Sequence, residues 1–353
     1  MLSSRSLLMT FLLLLALTAC SLPVPSPTPP ATSEPTALAP ALSGDLVIYS
    51  GRSEPLIQPV IDAFQARYPA VRILLKSGSN SQLANALLEE KALPQADLFI
   101  TTELFTIQAL ARQGVFQPYQ PPGTAQFPLQ FVDPDHLWIG LTQRARVIMY
   151  NTDLVTADTA PRSLLELTDP RWRGQIAAAG STNGSMQAQI AAMRQLLGEP
   201  TTEAWLRDLI ANQATFFGGH TDVRKAVGAG EFALGLVNHY YFYLQQAEGS
   251  KVGIVFPDQG EGQMGLLTNA TAIAIVNRDV NLPAARAFVD FLVSAEGQKL
   301  FAEQNYEYPL LPGVALRPEV QPLTDFRLAD VNMAEATRDF DATFALLEKV
   351  GLP

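Results

Sequence analysis

The sequence predicts an α/β protein of two lobes with a binding cleft between them. Strands and helices alternate from residue 46 to residue 112, a second such series follows, and two extended stretches, 144–150 and 270–276, can each cross between lobes. Alternation of this kind builds a mostly parallel sheet, whose binding site belongs at the carboxyl ends of its strands. Residues 44–353 number 310, enough for two separate cores.

Leu46, Val47, Ile48, Tyr49 and Ser50 read as the first strand. A helix over 55–68 places Leu56, Val60, Ile61 and Phe64 on one face; then come a strand over 71–76, a helix over 81–90, a buried strand over 96–100 and a helix over 103–112 that Gly114 ends. After a loop holding Pro118, Pro121, Pro122 and Pro128, residues 137–142 and 144–150 are extended. The second series comprises a strand over 175–179, helices over about 185–197, 201–211 and 222–229, a strand over 231–237 and a helix beginning at Phe242. Residues 270–276 return to the first lobe, a helix over 282–292 follows, and the tail from Asp325 reads as a helix on the surface. The expected division is 44–142 with about 273–307 in one lobe, and 143–272 with about 308–353 in the other.

Residues 1–19 read as a targeting leader. Arg5 supplies its positive end, and the eleven-residue stretch 7–17 is too short to span a bilayer, which needs about 20 residues. Leu17-Thr18-Ala19-Cys20 resembles a bacterial lipobox, which makes Cys20 the lipidated N-terminus of an exported protein, in the periplasm or on the outer face of the cell membrane. Cys20 is the only cysteine, so the folded part has no disulfide, zinc cluster or cysteine nucleophile to draw on. Seven of the 23 residues from 21 to 43 are proline, a composition that favours an extended tether reaching up to ~70 Å. Loss of Arg5 with the leader takes the formal net charge from -10 to -11, a poor match to nucleic acid.

The chemistry centres on Tyr240 and Tyr241. They lie between a strand and a helix start, where two neighbouring side chains can share a target and the positive end of the helix dipole favours phenolate. Tyr150 ends the stretch 144–150, and if that stretch crosses between lobes it delivers a third phenol to the cleft. Three phenolates suit a hard trivalent cation, Fe³⁺, with positions left for water or a small synergistic anion such as carbonate. Each ordinary phenol titrates near 10, so binding displaces protons and acid opposes it. Anion donors are at hand in Ser50, Gly51 and the Arg52 fork, and in Asn183, Gly184 and Ser185 at a helix start; either loop can equally be a plain N-cap. Arg144 and Asn238 border the same region.

At this point a resemblance becomes visible. Leu46-Val47-Ile48-Tyr49-Ser50-Gly51-Arg52, Arg144-Ala145-Arg146-Val147-Ile148-Met149-Tyr150-Asn151-Thr152-Asp153, Asn238-His239-Tyr240-Tyr241 and Tyr306-Glu307-Tyr308-Pro309-Leu310 together resemble the ferric-ion-binding proteins of bacterial ABC-type iron importers, over residues 44 to about 320. This is a branch of the type II periplasmic-binding-protein fold. The resemblance implies Tyr150, Tyr240 and Tyr241 as iron ligands, Arg52 with Ser50 and Gly51 near the anion, and delivery by a monomer to a membrane permease. Where such proteins often carry a further His or Tyr ligand just after the arginine, this chain has Ser53 and Glu54, which leaves Glu54 as an uncertain fourth ligand. His220 stands where relatives commonly have Asn near the anion, His239 is expected to point away from the ion, and His136 to be a surface loop residue.

Two other readings stay open: a binding protein of the same fold for an organic solute such as a polyamine, thiamine or a phosphonate, and a hydrolase or transferase using cleft carboxylates. No His-Glu-x-x-His, Walker A or Gly-x-Ser-x-Gly signature favours the enzyme, and three scattered histidines offer little general-base machinery.

Overall fold

Apolar residues at strand and helix spacing build the first half in the order the sequence predicts. The computed structural model describes residues 42–353, so the leader, Cys20 and nearly all of the tether lie outside the described residues. β1 (Gly44–Ser50), α1 (Glu54–Arg67), β2 (Val71–Ser77), α2 (Asn80–Glu89), β3 (Leu98–Thr101), α3 (Leu104–Arg112) and the short β4 (Phe116–Gln117) follow one another. α1 opens on Glu54 and Pro55, both suited to a first turn, and buries Leu56, Ile57, Val60, Ile61 and Phe64 along one stripe. Ser79 and Gln82 close a capping box at the start of α2.

The two extended stretches around residues 137–150 are one strand, β5 (Ile139–Asn151). Beyond it lie β6 (Ile176–Ala179), α4 (Gly184–Leu197), α5 (Glu199–Ala211), β7 (Thr215–Phe217), α6 (His220–Gly228), β8 (Leu234–Asn238), α7 (His239–Ala247) and β9 (Val252–Val255). β10 (Thr268–Val276), α8 (Leu282–Val293), α9 (Ala295–Asn305), β11 (Tyr308–Pro309), α10 (Met333–Arg338) and α11 (Phe340–Val350) complete the chain. α7 begins three residues earlier than expected, which carries both tyrosines into its first turn.

The strands join in the order β2-β1-β3-β10-β5-β8-β6-β7. β1 runs parallel to β2 and β3, and β6 runs parallel to β7 and β8. β10 and β5, in the middle, are antiparallel to each other and to their outer neighbours. β5 therefore serves two cores. Ile139 and Leu141 join Leu46, Ile48, Phe64, Phe99, Phe288 and Phe301 in the first. Further along, Ile148 and Tyr150 face one cluster with Leu164, Trp205 and Leu236, while Ala145, Val147 and Met149 face another with Val237, as alternation on a strand requires.

The tail is more than a surface helix. Leu346, Leu347 and Leu352 enter the second core, whereas Leu310 belongs to the first. Phe340 stacks on Phe105 of α3 with ring centroids 4.9 Å apart, and Thr337 Oγ1 donates to Gln108 Oε1 at 2.8 Å. Ser181 N–H, just ahead of α4, donates to the Pro353 carbonyl at 2.6 Å. The apolar spacing of α11 predicted the helix but not its partners, because Phe105 and Phe340 are far apart in sequence. Among the described residues no helix is long and apolar enough to cross a membrane.

Candidate metal centre in the cleft

Strand ends and helix starts converge on one cavity of about 290 Å³. The loops after β1, β2, β6 and β7 lead into α1, α2, α4 and α6, and each contributes lining residues at a helix N-terminus: Ser53, Ser79, Asn183 and Gly219. Backbone N–H groups at such termini carry partial positive charge. Arg52, Arg144, His220, Tyr240 and Tyr241 complete the polar wall, and among the described residues no Asp or Glu lines it.

Tyr240 and Tyr241 are 3% and 8% exposed, with ring centroids 4.3 Å apart. Burial, and then the neighbouring Tyr240, push the Tyr241 phenol well above its ordinary value, and Arg52 and Arg144 only partly oppose this. The expectation that the helix start favours phenolate is therefore corrected for Tyr241: burial raises its pKa, and without metal the phenol keeps its proton. A cation must displace that proton.

Tyr150 does not join them. It shares a face of β5 with Arg146, but four residues at roughly 3.3 Å each carry it ~13 Å further along. β5 is antiparallel to β8, so Arg146 lies opposite Asn238 at the cleft end while Tyr150 lies opposite Leu234 at the far end. Its ring packs over Gly253, where a Cβ would come within 2.1 Å of Tyr150 Cζ. The rule that strands deliver residues at their carboxyl ends holds for the parallel strands here and reverses for this one. Glu54 is also displaced from the role expected of it: it is exposed on the first turn of α1 and lines no part of the cavity.

The Arg52 fork is already engaged. Its Nη1 and Nη2 donate to Glu307 at 3.2 and 2.9 Å, and Nη1 also donates to Thr271 Oγ1 at 3.0 Å. The end of the fork is therefore taken by Glu307, and its Nε is without a partner. Ser50 is fully buried with its Oγ accepting the Arg52 N–H, which shapes the loop but keeps the hydroxyl out of the cavity. Gly51, Asn183, Gly184 and Ser185 do line it. Asn183 Oδ1 accepts from the Ser185 and Met186 N–H groups, and Asn238 Nδ2 donates to Ser185 Oγ, tying the starts of α4 and α7 together.

Arg144 is 2% exposed; it donates through Nη2 to the Thr102 carbonyl, and its Nε has no partner. Arg146, which sequence reasoning passed over, donates to Gln189 Oε1 at 2.7 Å and meets His220 Nε2 at 2.8 Å. Burial brings Arg146 down to about 9, so it remains a cation at neutral pH. The Arg-x-Arg spacing on one face of a strand was the available signal. Glu103 was also missed; it is buried, caps α3 by accepting from Phe105 and Thr106 N–H, and lies within 3.4 Å of Asn80 Nδ2.

His239 turns away from the cavity as expected. Its Nδ1 accepts the Ala145 N–H at 3.2 Å and its Nε2 lies 2.8 Å from the Tyr306 carbonyl, and burial lowers its pKa to about 3. His136 sits in the loop before β5 with φ of 58°.

The chain matches the profile of bacterial extracellular solute-binding proteins over residues 94–333. It belongs to that family. It is 32% identical over 303 residues to iron uptake protein A1 of Synechocystis sp., covering 83% of each chain. It is 30% identical over 308 residues to the Fe(3+)-binding periplasmic protein of Serratia marcescens, covering 84% of this chain and 88% of that one. Iron-bound HitA from Pseudomonas aeruginosa superposes with a TM-score of 0.80 at 27% identity, covering 87% of this chain and 99% of that one. The fold of this family member is the two-lobed type II periplasmic-binding-protein fold, a scaffold for solute binding and not for turnover.

Proposed function

We propose that the protein captures ferric iron outside the cytoplasmic membrane and delivers it to an ABC-type permease. The observation that carries this reading is the pair of adjacent tyrosine hydroxyl-bearing side chains, Tyr240 and Tyr241, buried in the first turn of α7 and lining the cleft. Phenolate oxygens match a hard cation, and the similarity to relatives named for iron uptake and Fe(3+) binding supports the same cargo. A synergistic anion completes the coordination that two phenolates leave open, held by the helix starts and Arg144. A monomer anchored through lipid on Cys20, whose two halves close over the cleft, is the working form of this proposal.

The test is a titration of metal-free protein with chelated ferric iron near neutral pH, read as the phenolate-to-iron charge-transfer colour. Tyr240→Phe/Tyr241→Phe should abolish the colour, and its persistence in that variant would sink the reading.

A second reading, favoured by the acid-free lining, is a phosphonate-like organic anion bound without metal. The same lining speaks against polyamine and thiamine, whose positive charge finds no carboxylate in the cavity. A protein that stays colourless with iron but is stabilised by such an anion would favour this second reading.

A further inference from the structure

We infer that a single halide ion such as chloride binds beneath α4, in a small chamber separate from the tyrosine cleft. The inference goes beyond the ferric reading and stands whatever the cleft carries.

The sheet face under α4 is the first observation. Arg144 and Arg146 are two apart on β5, so both point to one face. Asn269 on β10 lies directly opposite Arg144, and Asn238 at the end of β8 lies directly opposite Arg146, so the four side chains share that face. Ser185, Ala188, Gln189 and Ala192, the i, i+3, i+4 and i+7 positions of one side of α4, roof them over. The chamber so enclosed shares only Arg144 and Ser185 with the cleft wall, and neither Tyr240 nor Tyr241 lines it.

Unused donors are the second. Arg146 donates through Nε to Gln189 and meets His220 Nε2 through Nη1, and Arg144 donates through Nη2 to the Thr102 carbonyl. Arg144 Nε, Arg146 Nη2 and Asn269 Nδ2 are buried without a partner, and all three residues line this chamber. The oxygens around them already accept elsewhere: Ser185 Oγ from Asn238, Thr268 Oγ1 from Gln143, Asn269 Oδ1 from the Ala270 N–H and the Leu267 carbonyl from the Arg146 N–H. Three orphaned donors around one space suit a guest that only accepts.

Charge and size select the guest. Neither Arg144 nor Arg146 has a carboxylate partner among the described residues, and at about 9 Arg146 remains a cation at neutral pH. Two buried guanidiniums without a counter-ion are costly. The chamber holds about 20 Å³, room for one particle the size of a water and too little for carbonate, phosphate or a carboxylate. A water accepts two of the three hydrogen bonds at most and turns its own hydrogens toward the arginines. A halide accepts all three and cancels one charge.

The experiment uses the purified metal-free protein, unfolded by urea at a series of chloride concentrations with sodium gluconate holding the ionic strength constant. Above the dissociation constant, each tenfold rise in chloride should multiply the folding constant about tenfold, and bromide should replace chloride. Asn269→Ala, which alters nothing in the cleft wall, should weaken the halide at least roughly tenfold, and Arg146→Gln should abolish the dependence. Crystals soaked in sodium bromide should show an anomalous peak beside Arg146 Nη2 and Asn269 Nδ2. A folding constant indifferent to chloride, a dependence undiminished in folded Asn269→Ala, or bromide bound only at the helix starts of the cleft overturns the inference. None of these outcomes touches the ferric reading, which the iron titration tests by itself.

Discussion

Arg146 Nη1 lies 2.8 Å from His220 Nε2, and this contact joins the central strand β5 to the first turn of α6. His220 also meets Tyr241 edge-on, with centroids 5.2 Å apart. One cation thereby positions a ring that in turn supports a proposed ligand. Burial, followed by Arg146 and Arg144, holds the His220 pKa well below its ordinary value, so the ring is neutral where iron is bound. Arg146→Leu should leave the fold intact and let the His220 ring reorient. The expected result is weaker iron binding by about tenfold, read by competition against a chelator.

Tyr150→Phe separates the tyrosine pair from the trio that the sequence suggested. With its ring over Gly253 and ~13 Å from the cleft end of β5, Tyr150 should be dispensable for the ferric colour. Equal colour and affinity in wild type and Tyr150→Phe is the expected spectrum, and a bleached variant would restore Tyr150 to the site.

Gly253→Ala tests the same packing from the other side. A methyl group directed at the Tyr150 ring overfills the second core and should cost about 1–3 kcal/mol in denaturant unfolding, with iron binding unchanged.

Gly184→Ala addresses closure. A Cβ there would meet Asn80 Nδ2 at 2.4 Å and Glu103 Cγ and Thr102 Oγ1 at 3.1 Å, so α4 could no longer approach the first half as closely. Ligand affinity should fall at least roughly tenfold and the radius of gyration of the loaded protein should rise, while the unfolding midpoint moves little. An unchanged affinity would show that this approach does not matter for binding.

Stability of the metal-free protein should fall in acid because His239 is buried neutral. Its folded pKa of about 3 lies below the unfolded value near 6.5, so the unfolded chain takes up the proton first. The stabilisation is therefore full above about pH 6.5 and is lost progressively down to about pH 3, amounting to a few kcal/mol at most. His239→Gln should flatten that part of the profile in denaturant unfolding at pH 7, 5 and 4.

The alternating strands and helices of the first half were legible because each strand is a short apolar run and each helix shows a buried stripe. Tyr240 and Tyr241 were legible for a related reason, since a strand followed at once by a helix places them in a first turn. Tyr150 was misread because its location depends on the direction of β5 relative to β8, which no local pattern records. The commitment of Arg52 to Glu307 was equally hidden, since the partners are separated by 255 positions. Residue types proposed a liganding surface; only long-range pairing decided which donors were free.

The stack of Phe340 on Phe105 and the entry of Leu346 and Leu347 into the other core give the molecule a further connection besides β5, β10 and the chain that leaves α9 for the tail. The crossing segments alone would let the halves swing like a book on its spine. A clasp along one margin means that the gap must widen chiefly from the opposite margin, so cargo would enter and leave by a single lip.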